Sequence, residues 1–312
     1  MYIEHEQHSR YQNKANNIQL RYDDKQFHTT VIKDVLLWIE HNLDQSLLLD
    51  DVANKAGYTK WYFQRLFKKV TGVTLASYIR ARRLTKAAVE LRLTKKTILE
   101  IALKYQFDSQ QSFTRRFKYI FKVTPSYYRR NKLWELEAMQ PPINFDIDYL
   151  AIPQIVECEQ YTLHIKEYQY LSSLDEVGLL HENIRGSFWD DFFKATNLKI
   201  KECYVLINYQ KTEKRSHMVQ VKYQIGLKAI DPIVDHNQFK EIYLPSGKYA
   251  KFSFKGSLAE YRDFSLNLYL YSLPSLGLLR REGVDIEKYI NNKENVELPI
   301  KEIEIEYFVP IY

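Results

Sequence analysis

Phe63-Gln-Arg-Leu-Phe67-Lys68 and Phe113-Thr-Arg-Arg-Phe117-Lys118 stand fifty residues apart in this chain. At the same offset Val73-Thr74 meets Val123-Thr124, and Tyr78 meets Tyr128. A self-match at fixed offset means that one structural unit occurs twice. Each copy reads as helix, tight turn, helix. In the first, Asp50 or Asp51 caps a short helix that runs through Ala56. Gly57 ends it with a positive φ, and Thr59 caps the next helix. Phe63, Leu66, Phe67 and Val70 then recur at i, i+3, i+4 and i+7, so they share a face that must be buried. In the second copy Ile98, Ile101 and Ala102 form the apolar face of the first helix. Ser109 caps the second helix, whose Phe113, Phe117 and Ile120 point inward.

The faces left outside carry the chemistry. Trp61, Gln64, Arg65 and Lys68 share one of them, while Gln110, Gln111, Thr114, Arg115 and Lys118 share the other. Arg pairs bidentately with guanine O6 and N7, and Gln with adenine N6 and N7 in the major groove. Thr and Trp suit thymine methyls, sugar or phosphate. Matched outer chemistry on two copies favours DNA reading over two solvated faces. Arg80, Arg82, Arg83, Lys86, Lys95 and Lys96 lie on or beside the joining helix, placed to grip the DNA backbone without reading bases.

Charge supports this division. The chain of 312 residues carries a net +6, yet residues 29–131 hold 20 Lys/Arg against 8 Asp/Glu, so the remainder is acidic. One part suits a polyanion and the other does not. Apolar runs fall far short of the ~20 residues that span a bilayer. The start lacks a signal core, so a cytoplasmic protein without membrane contact is expected. Two cysteines, Cys158 and Cys203, form neither a disulfide framework nor a zinc set. His5, His8 and His28 match no metal spacing and read as solvated, so no metal or cofactor is expected.

Residues 1–28 are polar and read as a flexible arm. Helical periodicity begins near Val31, where Val35, Leu36, Trp38 and Ile39 follow, and residues 29–131 form the all-α double helix-turn-helix domain. Pro141 and Pro142 mark 132–145 as a linker. Residues 146–312 alternate apolar and polar positions in EQYTLHIKEY, CYVLINYQ, MVQVKYQIGL, KYAKFSFKG and KEIEIEYFVPI, which read as strands with one buried face. Helical stretches near Glu182–Ala195 and Leu258–Leu270 complete a strand-helix-strand-strand order that occurs twice. The fold class is therefore multidomain, with an α+β domain of two similar halves after the helical one.

The stretches AGYTKWYFQRLFKKVTG (56–72), SYIRARRLTKAAVEL (77–91) and QFDSQQSFTRRFKYIFKVTPSYYRR (106–130) closely resemble the DNA-binding domain of the AraC/XylS family, in particular its MarA, SoxS and Rob branch. The resemblance covers about a third of the chain. It implies seven helices, a central helix holding two helix-turn-helix units, and a monomer that sets both recognition helices in successive major grooves of double-stranded DNA. It also places Trp61, Gln64 and Arg65, and Gln110, Gln111, Thr114 and Arg115, at base-contacting positions. Gln106 departs from the family's usual Gly, which implies a strained second turn. A regulator of this type that activates has RNA polymerase as a second partner.

LPSGKYAKFSFKGS (244–257), EKYI (287–290) and EIEYFVPI (304–311) resemble the gyrase-inhibitor-like effector-binding domain that follows the DNA-binding part in Rob. That resemblance implies a cleft between the halves that takes organic, often cationic, molecules. Glu287 and Tyr289 match its acidic-x-aromatic motif, and i, i+2 on a strand share a face. A carboxylate with aromatic rings suits a lipophilic cation. Trp189 and Tyr249 are expected wall residues. The alternative is a protein-interaction module with a closed cleft and no ligand. An enzyme is not expected: no Ser/His/Asp or Cys/His arrangement, Gly-rich phosphate loop or Pro-Cys-His motif stands in the sequence.

Overall fold

The computed structural model describes residues 26–131, 134–143, 145, 151–173, 182–196, 202–212, 218–228, 238–290 and 302–312. Of the arm expected at 1–28, residues 1–25 lie outside the described residues, and 26–28 already belong to a helix. Contacts divide the chain into two compact units. One runs to Leu84 and takes in Pro142, Ile143 and Phe145; the other holds Thr85–Pro141 and the chain from Ala151 onward.

The first unit contains α1 (26–41), α2 (Leu49–Lys55), α3 (Lys60–Thr71) and the start of α4 (Leu75–Leu93). Its core joins Ile32, Val35, Leu36 and Ile39 of α1 to Val52, Phe63, Leu66, Phe67 and Tyr78, with Val70 packed against them. Gly57 has φ 74° and closes the turn between α2 and α3. The caps differ in detail from expectation. Leu48 occupies the α2 N-cap, so Asp50 and Asp51 sit in the first turn, where the helix dipole favours acid. Thr59 is the N-cap of α3, but its side chain makes no capping bond. Arg82 is corrected more sharply. Instead of facing DNA it is 1% exposed, and its guanidinium makes two bonds of 2.8 Å to the Glu40 carboxylate. Tyr78 donates to the same carboxylate at 2.7 Å. Arg83 is likewise spent inside the fold, on the carbonyls of Leu43 and Gln45.

The second unit begins with the rest of α4, then α5 (Ile98–Lys104), α6 (Gln110–Phe121) and α7 (Pro125–Arg130). Ser109 closes a capping box at the start of α6. The rings of Phe113, Phe117, Phe121 and Tyr128 pack in series behind that helix. Phe121 takes the fully buried place expected for Ile120, which is only half-buried. Gln106 adopts φ 62°, the left-handed conformation that Gly57 supplies in the first copy. The two turns are not identical, because four residues separate α2 from α3 and five separate α5 from α6. The added residue is Asp108. It shifts the repeat offset from 49 before the turn, where Gly57 matches Gln106, to 50 after it.

The rest of this unit is an eight-stranded antiparallel sheet with helices on one face. Its strands are β2 (Gln154–Cys158), β3 (Tyr161–Ser173), β4 (Glu202–Lys211), β5 (Met218–Leu227), β6 (Lys240–Leu244), β7 (Gly247–Gly256), β9 (Asp285–Ile290) and β10 (Ile303–Pro310). Helix α8 (Glu182–Thr196) follows β3. Helix α9 (Leu258–Asn267) follows β7 and runs through a π-turn (Leu268–Ser272) into α10 (Leu273–Ser275). The strand order β2-β7-β10-β9-β4-β5-β3-β6 shows two halves meeting at β9 and β4. Each half sends its leading strand to the other: β2 pairs with β7, and β6 with β3. Of the expected linker, 132, 133 and 144 lie outside the described residues. Within it β1 (Trp134–Glu135) pairs antiparallel with β8 (Leu279–Arg280). Among the described residues no helix is long and apolar enough to cross a membrane.

Removing one partner of a buried ion pair leaves a charge without compensation, so Arg82→Ala should cost about 3 kcal/mol or more of stability. Urea denaturation of the full chain checks this. Wild-type stability together with weakened DNA affinity would return Arg82 to the DNA surface.

Candidate functional site

Helix α3 offers its outer face with little obstruction. Trp61 is 66% exposed, and the Arg65 guanidinium lies 4.5 Å above its ring. Gln64 and Lys68 are exposed beside them. Arg65, Gln64 and Lys68 also edge a groove of about 360 Å³ whose floor includes Leu47, Leu49, Leu75 and Ile79. Phe63 and Phe67 fix the helix from behind, so the exposed residues are the ones the packing leaves over. Behind the turn, His28 corrects its expected solvated state. Its ring nitrogens lie 2.8 Å from the Tyr58 hydroxyl and 3.1 Å from that of Tyr62.

Helix α6 repeats the arrangement. Gln110, Gln111, Arg115 and Lys118 are exposed and Thr114 is half-buried. Arg80 on α4 is exposed. Lys96, expected at the DNA backbone, instead donates to the carboxylate of Glu90, which is 0% exposed and also pairs with Lys104 at 3.3 Å. A buried carboxylate needs a cation nearby, and that need holds the Lys96 ammonium.

The C-terminal constellation sits at the junction of the two halves. Glu287 on β9 faces Val205 of β4 on one side and Tyr307 of β10 on the other. Alternation puts Asp285, Glu287 and Tyr289 on the face covered by α8 and α9. Tyr289 donates to Glu287 at 2.8 Å, and the Trp189 ring stands 5.1 Å from the Tyr289 ring at 68°. Trp189 in turn donates its indole N–H to the Tyr223 hydroxyl at 3.2 Å. Three of the four expected residues are thus brought together. Tyr249 is not. Its register partner is Pro310, in phase with Phe308 and Ile286, so its ring lies on the opposite face with Leu163, Ile165 and Leu206. The Arg281 guanidinium covers it at 4.7 Å.

Arg185 went unforeseen. It lies one turn before Trp189 on α8 and is 5% exposed. Its Nε donates to the Tyr170 hydroxyl at 3.0 Å, and its guanidinium lies 4.8 Å from the centre of the Tyr223 ring. The i, i+4 spacing to Trp189 is the signal that would have found it. Burial pushes the Glu287 carboxyl above the ordinary carboxylate range, with Arg185 pulling the other way. Burial opposes the charge of Arg185, but Tyr223, Tyr170 and Glu287 together hold its guanidinium above its usual range. Burial and the Glu287 charge push Tyr289 and Tyr261 upward, so both hydroxyls stay protonated. Asp285, two residues before Glu287, accepts from Tyr307 at 2.9 Å and from Arg280 at 2.9 Å, and also from Tyr269.

Two helix-turn-helix copies with matched basic outer faces, followed by a two-half α+β sheet with a charged aromatic centre, define a DNA-binding transcription regulator joined to a small-molecule binding domain. The helix-turn-helix domain family matches residues 52–131, and the GyrI-like small molecule binding domain family matches residues 181–312. The chain belongs to the AraC family, in the MarA, SoxS and Rob branch, with the domain order of Rob. Transcriptional regulator Rob of Salmonella typhimurium is 38% identical over 283 residues, covering 90% of this chain and 98% of Rob. The Tn10 transposon TetD protein of Escherichia coli is 97% identical over 139 residues, 45% of this chain and 99% of TetD. The transcriptional activator AarP of Providencia stuartii is 50% identical over 116 residues, 36% of this chain and 86% of AarP.

The raised carboxyl of Glu287 sets a pH dependence. The folded state keeps this proton to higher pH than the unfolded chain, where 4.5 is the ordinary value. The stability this group contributes is therefore full below that value and is lost as pH rises through the folded one. Glu287→Gln removes the titration. The Tm of the wild type minus that of the variant should fall as pH rises from about 4. Thermal melts across pH check it, and a difference independent of pH would mean that Glu287 titrates alike in both states.

Proposed function

We propose that α3 and α6 enter successive major grooves of double-stranded DNA. Trp61, Gln64 and Arg65 read bases from the first, and Gln110, Gln111, Thr114 and Arg115 from the second. Lys68, Lys118 and Arg80 meet phosphates and set register. The observation that carries this reading is the pairing, twice over, of a buried Phe pair with an exposed Gln and Arg face. The protein acts as a monomer and activates transcription through RNA polymerase, a reading supported by its likeness to the activator AarP. The C-terminal half takes a small organic cation against Glu287, Tyr289 and Trp189. Because Glu287 is 1% exposed, a second reading applies to this half alone: a closed module that binds a protein partner.

Arg65→Ala should cost about 1–3 kcal/mol of specific binding and relax base preference at one position, whereas Arg80→Ala should weaken all sequences alike and lower the salt slope by about one. Binding-site selection and salt titrations measure both. An unchanged Arg65→Ala binding profile removes it from the bases, and a sequence-selective loss in Arg80→Ala removes it from the backbone.

For the C-terminal half, Trp189 beside Tyr289 makes fluorescence titration of the full chain with tetraphenylphosphonium the direct test. Quenching at about micromolar concentrations that weakens at least tenfold, or ~1.4 kcal/mol, in Glu287→Gln is expected. No quenching in folded protein favours the partner-binding module and leaves the DNA assignment intact.

A further inference from the structure

Arg185 and Glu287 are both almost wholly buried, and each feels the opposite charge of the other. Yet they form no direct ion pair among the described residues. Arg185 instead lies over the Tyr223 ring and donates to Tyr170, while Glu287 accepts from Tyr289. A third hydroxyl, that of Tyr261, is fully buried and interacts with the Glu287 carboxylate. A carboxylate, aromatic faces and hydroxyls are the components of a cation receptor. Here a planar cation already occupies it, and that cation belongs to the chain.

We propose that this centre takes planar N–H-donating cations, amidines or guanidines on an apolar body, and that they bind by displacing the Arg185 guanidinium from its seat. This rests on the cation reading of the cleft given above. The seat selects shape as well as charge. A flat cation stacks on Tyr223 and still offers N–H groups to Tyr170 and to Glu287. An onium ion with no N–H meets Glu287 through charge and apolar contact alone and leaves these acceptors unsatisfied, so it gains less from the seat than a planar cation does. Displacement also keeps the charge account level. Withdrawing Arg185 alone would strand a buried carboxylate, whereas an incoming cation takes over its compensation. The closed state of the site is then the occupied state, with the occupant tethered to α8. Ligand entry would release the guanidinium from the first turns of that helix.

The test uses the full-length protein and benzamidine as the flat probe, with tetraphenylphosphonium as the onium comparison. Competition from a tethered occupant lowers apparent affinity by the fraction of time the seat is taken, so Arg185→Ala should bind benzamidine at least ~10-fold more tightly than wild type. Ethylguanidinium should raise the Tm of Arg185→Ala and leave the wild type unchanged. Unchanged or weaker benzamidine binding in Arg185→Ala overturns the proposal. Should Arg185→Ala fail to fold, amide hydrogen exchange of wild-type residues 182–196 decides. Faster exchange at saturating benzamidine is expected, and protection or no change overturns the displacement. Glu287-dependent binding of tetraphenylphosphonium with no gain for benzamidine overturns only this inference. Failure of both probes with every variant overturns the cation site itself.

Discussion

On each of two short helices, two phenylalanines four residues apart are driven out of water, and the direction of the exposed Gln and Arg side chains follows from that burial. A twelve-residue helix has one face to give to a core. Phe63 and Phe67 take it on α3; Phe113 and Phe117 take it on α6. Each fully buried ring contributes on the order of 2–3 kcal/mol, which is enough to fix the rotation of its helix. Once that rotation is fixed, the outward direction of Gln64, Arg65, Gln111 and Arg115 is no longer a free choice. Core packing thus aims the polar chemistry without touching it.

The same logic governs the cations, with charge in place of apolar area. Glu40 and Glu90 lie inside the helical region, and a carboxylate out of water needs a partner. Arg82 is bound to the first, and Lys96 with Lys104 to the second. In the sheet, Glu287 and Arg185 balance one another through tyrosines. In the helical region the buried Glu90 and the partly buried Glu40 thereby engage three basic groups, Arg82, Lys96 and Lys104, that composition alone would assign to a polyanion.

What the sequence made legible and what it hid divide along that line. Periodicity exposed the Phe faces, the outer residues of α3 and α6, the Ser109 cap and the shared face of Glu287 and Tyr289, because each depends on spacing within one element. Arg82 was hidden because its partner Glu40 lies 42 residues away. Tyr249 was misplaced because its face depends on the register of β7 against β10, which no single strand records. Arg185 escaped notice because a charged residue on a helix resembles a solvated one until the sheet beneath it is known. β2 and β6 were missed for a related reason. They are short strands that pair only with the other half of the sheet.

That exchange of leading strands bears on the order in which the molecule comes into being. Ile303–Pro310 forms β10, which lies between β7 and β9 rather than at an edge. Until those residues leave the ribosome, β7 and β2 have no connection to the rest of the sheet. The helical units, built from contacts close in sequence, need not wait. Such long-range pairings form slowly and local ones quickly. During synthesis there is therefore an interval in which α3 and α6 can already be folded while the sheet that carries Glu287 is incomplete. A nascent chain would pass through a stage in which its helix-turn-helix copies are formed and its eight-stranded sheet is not.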